Sequence, residues 1–62
     1  MEKSYRIYVT NIDQAMAALK AFGIEARAIG TYIHFMIEES RKMDVILHLN
    51  KEKIVVYDIE EI

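Results

Sequence analysis

The stretch Ile24-Glu25-Ala26-Arg27-Ala28-Ile29-Gly30-Thr31-Tyr32-Ile33-His34-Phe35-Met36-Ile37 decides the fold. Gly30-Thr31 has the form of a two-residue type II′ turn, which wants glycine first because the backbone φ is positive there. Folding the chain about it sets Ile24, Ala26 and Ala28 opposite Ile37, Phe35 and Ile33, an all-apolar face. Glu25, Arg27 and Ile29 then lie opposite Met36, His34 and Tyr32 on the other side. A slip of one residue would mix the two sets, so the spacing predicts a hairpin in this register.

Towards the C-terminus the same arithmetic predicts more strands. A three-residue loop at Ser40-Arg41-Lys42 pairs Glu39 with Met43 and brings Val45, Leu47 and Leu49 opposite Ile37, Phe35 and Ile33, extending the apolar face. On the reverse face it opposes His34 to His48, Met36 to Ile46 and Glu38 to Asp44. A last turn over Asn50-Lys51-Glu52-Lys53 closes with an odd or an even loop. The even loop turns Ile54, Val56 and Asp58 inward; the odd one turns Val55, Tyr57 and Ile59 inward and keeps both Asp44 and Asp58 out of the core. A buried unpaired carboxylate is costly, which favours the odd loop.

Towards the N-terminus, residues 4–10 alternate as a half-buried strand, with Tyr5, Ile7 and Val9 on one side and Arg6, Tyr8 and Thr10 on the other. The period then becomes helical, with Ile12, Ala15, Met16, Leu19 and Phe22 in one stripe. Asn11, with Gln14 three residues on, has the spacing of a capping box, and Gly23-Ile24 suits a Schellman ending. A helix over residues 12–22 follows. The predicted class is α+β, ordered β-α-β-β-β-β, with one helix packed on a mainly antiparallel sheet in a single domain over residues 1–62. No internal repeat or linker is visible in the sequence.

A competing fold starts from the same residues. Leu19-Lys20-Ala21-Phe22-Gly23-Ile24 resembles the end of the first helix of the ribbon-helix-helix DNA-binding dimers, and Ile29, Ile33, Met36, Ile37 and Ser40 recur at helical spacing. That resemblance implies a ribbon-helix-helix with a C-terminal hairpin. It puts Gly30, Thr31, Tyr32 and Ile33, all weak helix formers, inside the second helix, so the sheet is preferred.

Composition narrows the function. A chain of 62 residues with no cysteine has neither disulfides nor thiolate metal sites to support a small core. With 53% apolar residues, a second copy is the remaining stabiliser, and a homo-oligomer is expected. The net charge of −2 argues against a general pull towards nucleic acid or anionic lipid. No stretch approaches a membrane span and the start carries no apolar signal region, so a cytoplasmic protein is expected. Ten isoleucines against three leucines suggest an AT-rich genome, archaeal or viral among others.

No Walker A, dinucleotide-binding, zincin, EF-hand or nucleophile-elbow motif is present. No residue is assigned to catalysis or to a metal, no cofactor is expected, and the chain is read as non-enzymatic. The notable constellation is the face away from the core, expected to carry Arg6, Tyr8, Arg27, Tyr32, His34, Met36, Ile46 and His48. Opposed imidazoles could share a metal with Glu38 or Asp44, or relay a proton, but they lack a signature spacing. The aromatics and arginines could stack single-stranded nucleic acid. They equally suit a protein interface, where Tyr, Met and Arg are enriched. The leading expectation is therefore a small homo-oligomeric interaction or regulatory protein, antitoxin-like or viral in type, with a nucleic-acid binder and a very small His-pair enzyme or metal protein as alternatives.

Overall fold

Strand β1 (Glu2–Val9) buries Tyr5, Ile7 and Val9 on one face, and the chain turns at Asn11 into helix α1 (Ile12–Ala21). The Asn11 side chain accepts a hydrogen bond from the Gln14 backbone N–H at 2.9 Å, the predicted cap. At the far end Gly23 takes φ 83°, and the Ile24 N–H reaches back to the Leu19 carbonyl at 2.9 Å, closing a Schellman motif. This computed structural model describes all 62 residues.

Strands β2 (Ala26–Ile29) and β3 (Tyr32–Glu38) form the predicted hairpin, pairing Ala26 with Phe35, Arg27 with His34, Ala28 with Ile33 and Ile29 with Tyr32. Gly30 supplies the positive φ of 57° and Thr31 does not share it, as a II′ turn requires. The pairing is shorter than expected, because Ile24 and Glu25 remain in the turn from α1.

Past Glu38 the structure departs from the expected strand. A single 3-10 turn (Glu39–Arg41) leads into helix α2 (Lys42–Lys51). Met43, Val45, Leu47 and Leu49 alternate, which suggested a strand, but Val45 and Leu49 are also four apart and fall on one helical face, where both are buried. Two physical facts favour the helix. The second edge of β3 is occupied by β1, and a single ten-residue helix leaves half the apolar sheet face uncovered. The ribbon-helix-helix alternative is likewise overturned, since residues 32–38 are extended.

The fold is thus an α+β arrangement of two helices on a four-stranded antiparallel sheet, with strand order β2-β3-β1-β4. Strand β4 (Val56–Glu61) lies beside β1. This is the split β-α-β layout of ferredoxin-like sheets. A register shift between Tyr8 and Val9, which pair with Asp58 and Val56, leaves Tyr57 as the extra residue of a bulge. The bulge reconciles the two loop choices. Ile54 and Val56 point inward as in the even loop, and Ile59 points inward as in the odd one, with Asp58 outside.

The elements recur at a spacing of thirty residues: α1 starts at 12 and α2 at 42, β2 at 26 and β4 at 56. Tyr5 and Phe35, Ile7 and Ile37, Leu19 and Leu49, and Ile24 and Ile54 occupy equivalent buried places in the two halves. Tyr5 and Phe35 are also direct cross-strand partners, with rings 6.2 Å apart, so the pseudo-two-fold relating the halves passes between them. Few identities survive between the halves, which is why the repeat escapes a reading of the sequence.

Both helices end alike. The Ile54 N–H reaches the Leu49 carbonyl at 3.0 Å, as Ile24 reaches Leu19, but the residue at positive φ (62°) is Lys53 rather than glycine. A side chain there is strained, so Lys53→Gly should raise stability by up to about 1 kcal/mol in urea denaturation.

All thirteen buried residues are apolar or aromatic. The one buried polar atom without a partner is the Tyr5 hydroxyl. Burial pushes the Tyr5 phenol up from its ordinary value, helped by the nearby Glu39 and Glu61 carboxylates. A phenol held neutral by the fold loses stability as pH rises past 10, where the unfolded chain ionises freely. Tyr5→Phe should therefore leave the melting temperature unchanged or higher at pH 7 and make the protein more resistant to unfolding above about pH 10.

Candidate functional site

With both helices on one side, the opposite face of the sheet has no cover from the chain itself. Alternation along the strands sends Arg6 and Tyr8 of β1, Arg27 and Ile29 of β2, Tyr32, His34 and Met36 of β3, and Asp58 and Glu60 of β4 to that face. Six of the eight residues expected there are brought together: Arg6, Tyr8, Arg27, Tyr32, His34 and Met36.

Ile46 and His48 are not. Both belong to α2, in the helical layer on the other side of the sheet. The expected opposition of His34 to His48, and of Glu38 to Asp44, fails for the same reason, and no grouping of three or more His, Asp or Glu side chains has metal-binding geometry. His48 instead donates from Nε2 to the Ala18 carbonyl at 3.1 Å and stacks on Phe22, with ring centroids 4.5 Å apart and planes 20° from parallel. It ties α2 to the end of α1.

The open face is organised in cross-strand rows. Arg27 pairs with His34, His34 with Arg6 and Arg6 with Glu60, so one row crosses all four strands from cation to anion. Arg6 Nε donates to Glu60 Oε1 at 3.1 Å, which favours the charged guanidinium. Arg27 has no such partner within the chain. In the adjoining row Ile29 pairs with Tyr32 and Tyr8 with Asp58; the Tyr8 and Tyr32 rings touch at 5.9 Å, and the Arg6 guanidinium lies 5.5 Å from the Tyr32 centroid. Met36 and Ile29, 50% and 44% exposed, flank this aromatic centre with apolar surface. At one end Glu2 and Glu38 oppose each other directly.

The open face combines three kinds of surface. It has an apolar and aromatic centre, arginines that can donate in several directions, and carboxylates concentrated on β4 and at one strand end. The favoured odd loop already put Asp58 outside the core, as observed, but neither Asp58 nor Glu60 stood among the residues expected to form this face, because their strand was paired with the wrong neighbour.

A separate group of charges, one cation between two carboxylates, lies on the helical side. Lys3 Nζ sits 2.7 Å from Glu39 and 3.6 Å from Glu61. The hydrogen bond to Lys3 holds the Glu39 carboxyl below its ordinary range, and the bond to Glu39 pushes Lys3 up. These groups are exposed and pair off one another, which marks them as a surface ion cluster.

Comparisons with known proteins return no match: no family model, no curated protein and no solved structure is similar to this chain.

The two histidines should separate experimentally. His48→Ala removes a stacked, partly buried ring and its bond to Ala18, and should lower stability by roughly 1 kcal/mol or more. His34→Ala, on the open face, should change the stability of the monomer by less than about 0.5 kcal/mol. Equal losses in thermal denaturation would contradict these placements.

Proposed function

We propose that the protein acts by binding rather than by catalysis, as a small interaction protein whose open sheet face meets the same face of a second copy. The observation that carries this reading is the row Arg27-His34-Arg6-Glu60, cationic at the β2 edge and anionic on β4. A two-fold axis parallel to the strands and between β3 and β1 lays β2 of one copy over β4 of the other. Arg27 of each then meets Glu60 and Asp58 of its neighbour, while Tyr8 and Tyr32 meet across the axis. Such an arrangement is self-complementary, as a two-fold interface must be. The strands of the two sheets would cross by about 30°, as aligned sheets do.

Size sets the expected strength. Four strands at about 4.8 Å spacing and six or seven residues at about 3.4 Å give a footprint of roughly 400 Å² in projection. That is small beside the roughly 800 Å² per partner of a standard specific interface. Dissociation at about micromolar concentration follows, with weakening as salt screens the Arg27 contacts.

A second reading has its own observation. Tyr8 and Tyr32 lie on the two central strands with Arg6 against Tyr32, an arrangement on which nucleotide bases could stack. The carboxylates weigh against it. Glu60 neutralises Arg6, and Glu2, Glu38 and Asp58 share the face a phosphate chain would cross.

Sedimentation equilibrium with charge-reversed chains tests the proposal. Arg27→Glu and Glu60→Lys should each give a monomer, because both contacts across the axis become repulsive. An equal mixture of the two should dimerise, because both contacts are then restored. Monomeric wild type at tens of micromolar, or a mixture no heavier than its components, rejects the homodimer. Binding of a fluorescein-labelled single-stranded oligonucleotide at physiological salt, lost on Tyr32→Glu, would transfer the face to nucleic acid.

A further inference from the structure

An exposed cleft lies on the opposite side of the molecule, where α2 passes the end of α1. Asp44, Leu47, His48 and Lys51, spaced i, i+3, i+4 and i+7, form one stripe of α2, and with Phe22 they line a shallow cleft of about 380 Å³. This stripe is separate from the core-facing pair Val45 and Leu49. Leu47 is 57% exposed and Met43, one turn earlier, 60%. In a helix whose inner face is already satisfied, two large apolar side chains four residues apart and turned to water have no role in the fold of this chain.

Two cations stand at the cleft, Lys51 in its lining and Arg41 beside the Phe22 ring. The Arg41 guanidinium lies 5.3 Å from the Phe22 centroid, and the His48 ring stacks on the same Phe22 at 4.5 Å. Lys51 closes the far end. Neither Arg41 nor Lys51 has a carboxylate within ion-pair distance, although the chain as a whole is acidic, with a net charge of −2. The single acid in the lining is Asp44. Phe22 is held rigidly by its stack on His48, and His48 in turn by the Ala18 carbonyl, so the floor is preformed. In the first half of the repeat, the positions of Leu47 and Lys51 are taken by Ala17 and Ala21. The second half therefore carries bulk and charge there that the shared architecture does not demand.

We propose that this cleft binds an acidic amphipathic peptide segment of another protein. A large apolar side chain of the ligand enters between Phe22 and Leu47, and carboxylates on either side of it reach Arg41 and Lys51. The two residues are ten apart along α2 and its cap, a backbone span of about 15 Å at 1.5 Å per residue, and the Arg41 side chain reaches towards the Phe22 ring, so the two acidic groups lie within that span. The mode is a helix or short strand lying in a groove, with the charges selecting the partner. It uses the helical layer and leaves the open sheet face untouched.

The test pans a display library of random peptides about twelve residues long, enough to cover 15 Å even as a helix, against the wild-type protein and against Leu47→Glu. Leu47 on α2 and Arg41 in the turn before it are both exposed, and thermal melts of Leu47→Glu and Arg41→Glu check that each variant still folds. Peptides with an apolar residue flanked by Asp or Glu should be enriched on the wild type alone. A synthetic version should bind about tenfold more weakly to each variant, lose binding when its acids are replaced by lysine, and keep binding to Tyr32→Glu. Amide chemical-shift changes should centre on Phe22, Leu47 and Lys51. No enrichment over Leu47→Glu, enrichment without acidic preference, or shifts confined to the sheet face would overturn the proposal.

Discussion

Everything in this structure leans on the central antiparallel pair β1 and β3. Tyr5 and Phe35 face each other across it, and Ile7 and Ile33 continue the contact, all of them almost completely buried. Each helix follows one of these strands and folds back over it, and each edge strand follows a helix and pairs with the outer side of the opposite central strand. One register between two strands therefore places both halves. The halves are equivalent at thirty-residue spacing, so the contact between Tyr5 and Phe35 is made once and serves both.

A sheet with both helices on one face must present the other to solvent or to a partner. Antiparallel sheets tolerate this when the outer positions are polar. Here they are mixed. Carboxylates dominate β4 and one strand end, while Tyr8, Tyr32, Met36 and Ile29 hold the centre. The monomer gains nothing from the apolar centre, and an association that covers it gains from both the area and the Arg27 charge left without a partner. A chain this short has few other ways to add buried surface.

The two halves differ where the shared architecture leaves freedom. The solvent-facing positions of α1 include Ala17 and Ala21, which favour a helix and offer little to recognise. Their counterparts on α2 are Leu47 and Lys51, beside a Phe22 ring held by His48 and Arg41. The first helix is thus suited to packing and capping, and the second carries the more distinctive surface. The same contrast appears at the helix ends, where Gly23 relaxes the left-handed position and Lys53 strains it.

Local patterns determined much of this on their own. The turn at Gly30-Thr31 dictated the β2–β3 register because one face of that hairpin is wholly apolar, and a slip would bury Arg27 or His34. The cap at Asn11 and the closure at Gly23-Ile24 bounded α1 because they satisfy backbone groups within a few residues. The strand character of residues 4–10 and most of the open-face set followed from simple alternation. What the sequence left ambiguous was residues 43–49, where Met43, Val45, Leu47 and Leu49 alternate as a strand while Val45 and Leu49 also share a helical face. Only the tertiary structure decides between them, since β1 occupies the edge of β3 that a further hairpin strand would need, and the exposed half of the sheet needs a second helix to cover it. The pairing of β4 with β1, the bulge at Tyr57 and the separation of His34 from His48 all follow from that choice. They depend on contacts between residues thirty to fifty positions apart, which no local pattern encodes.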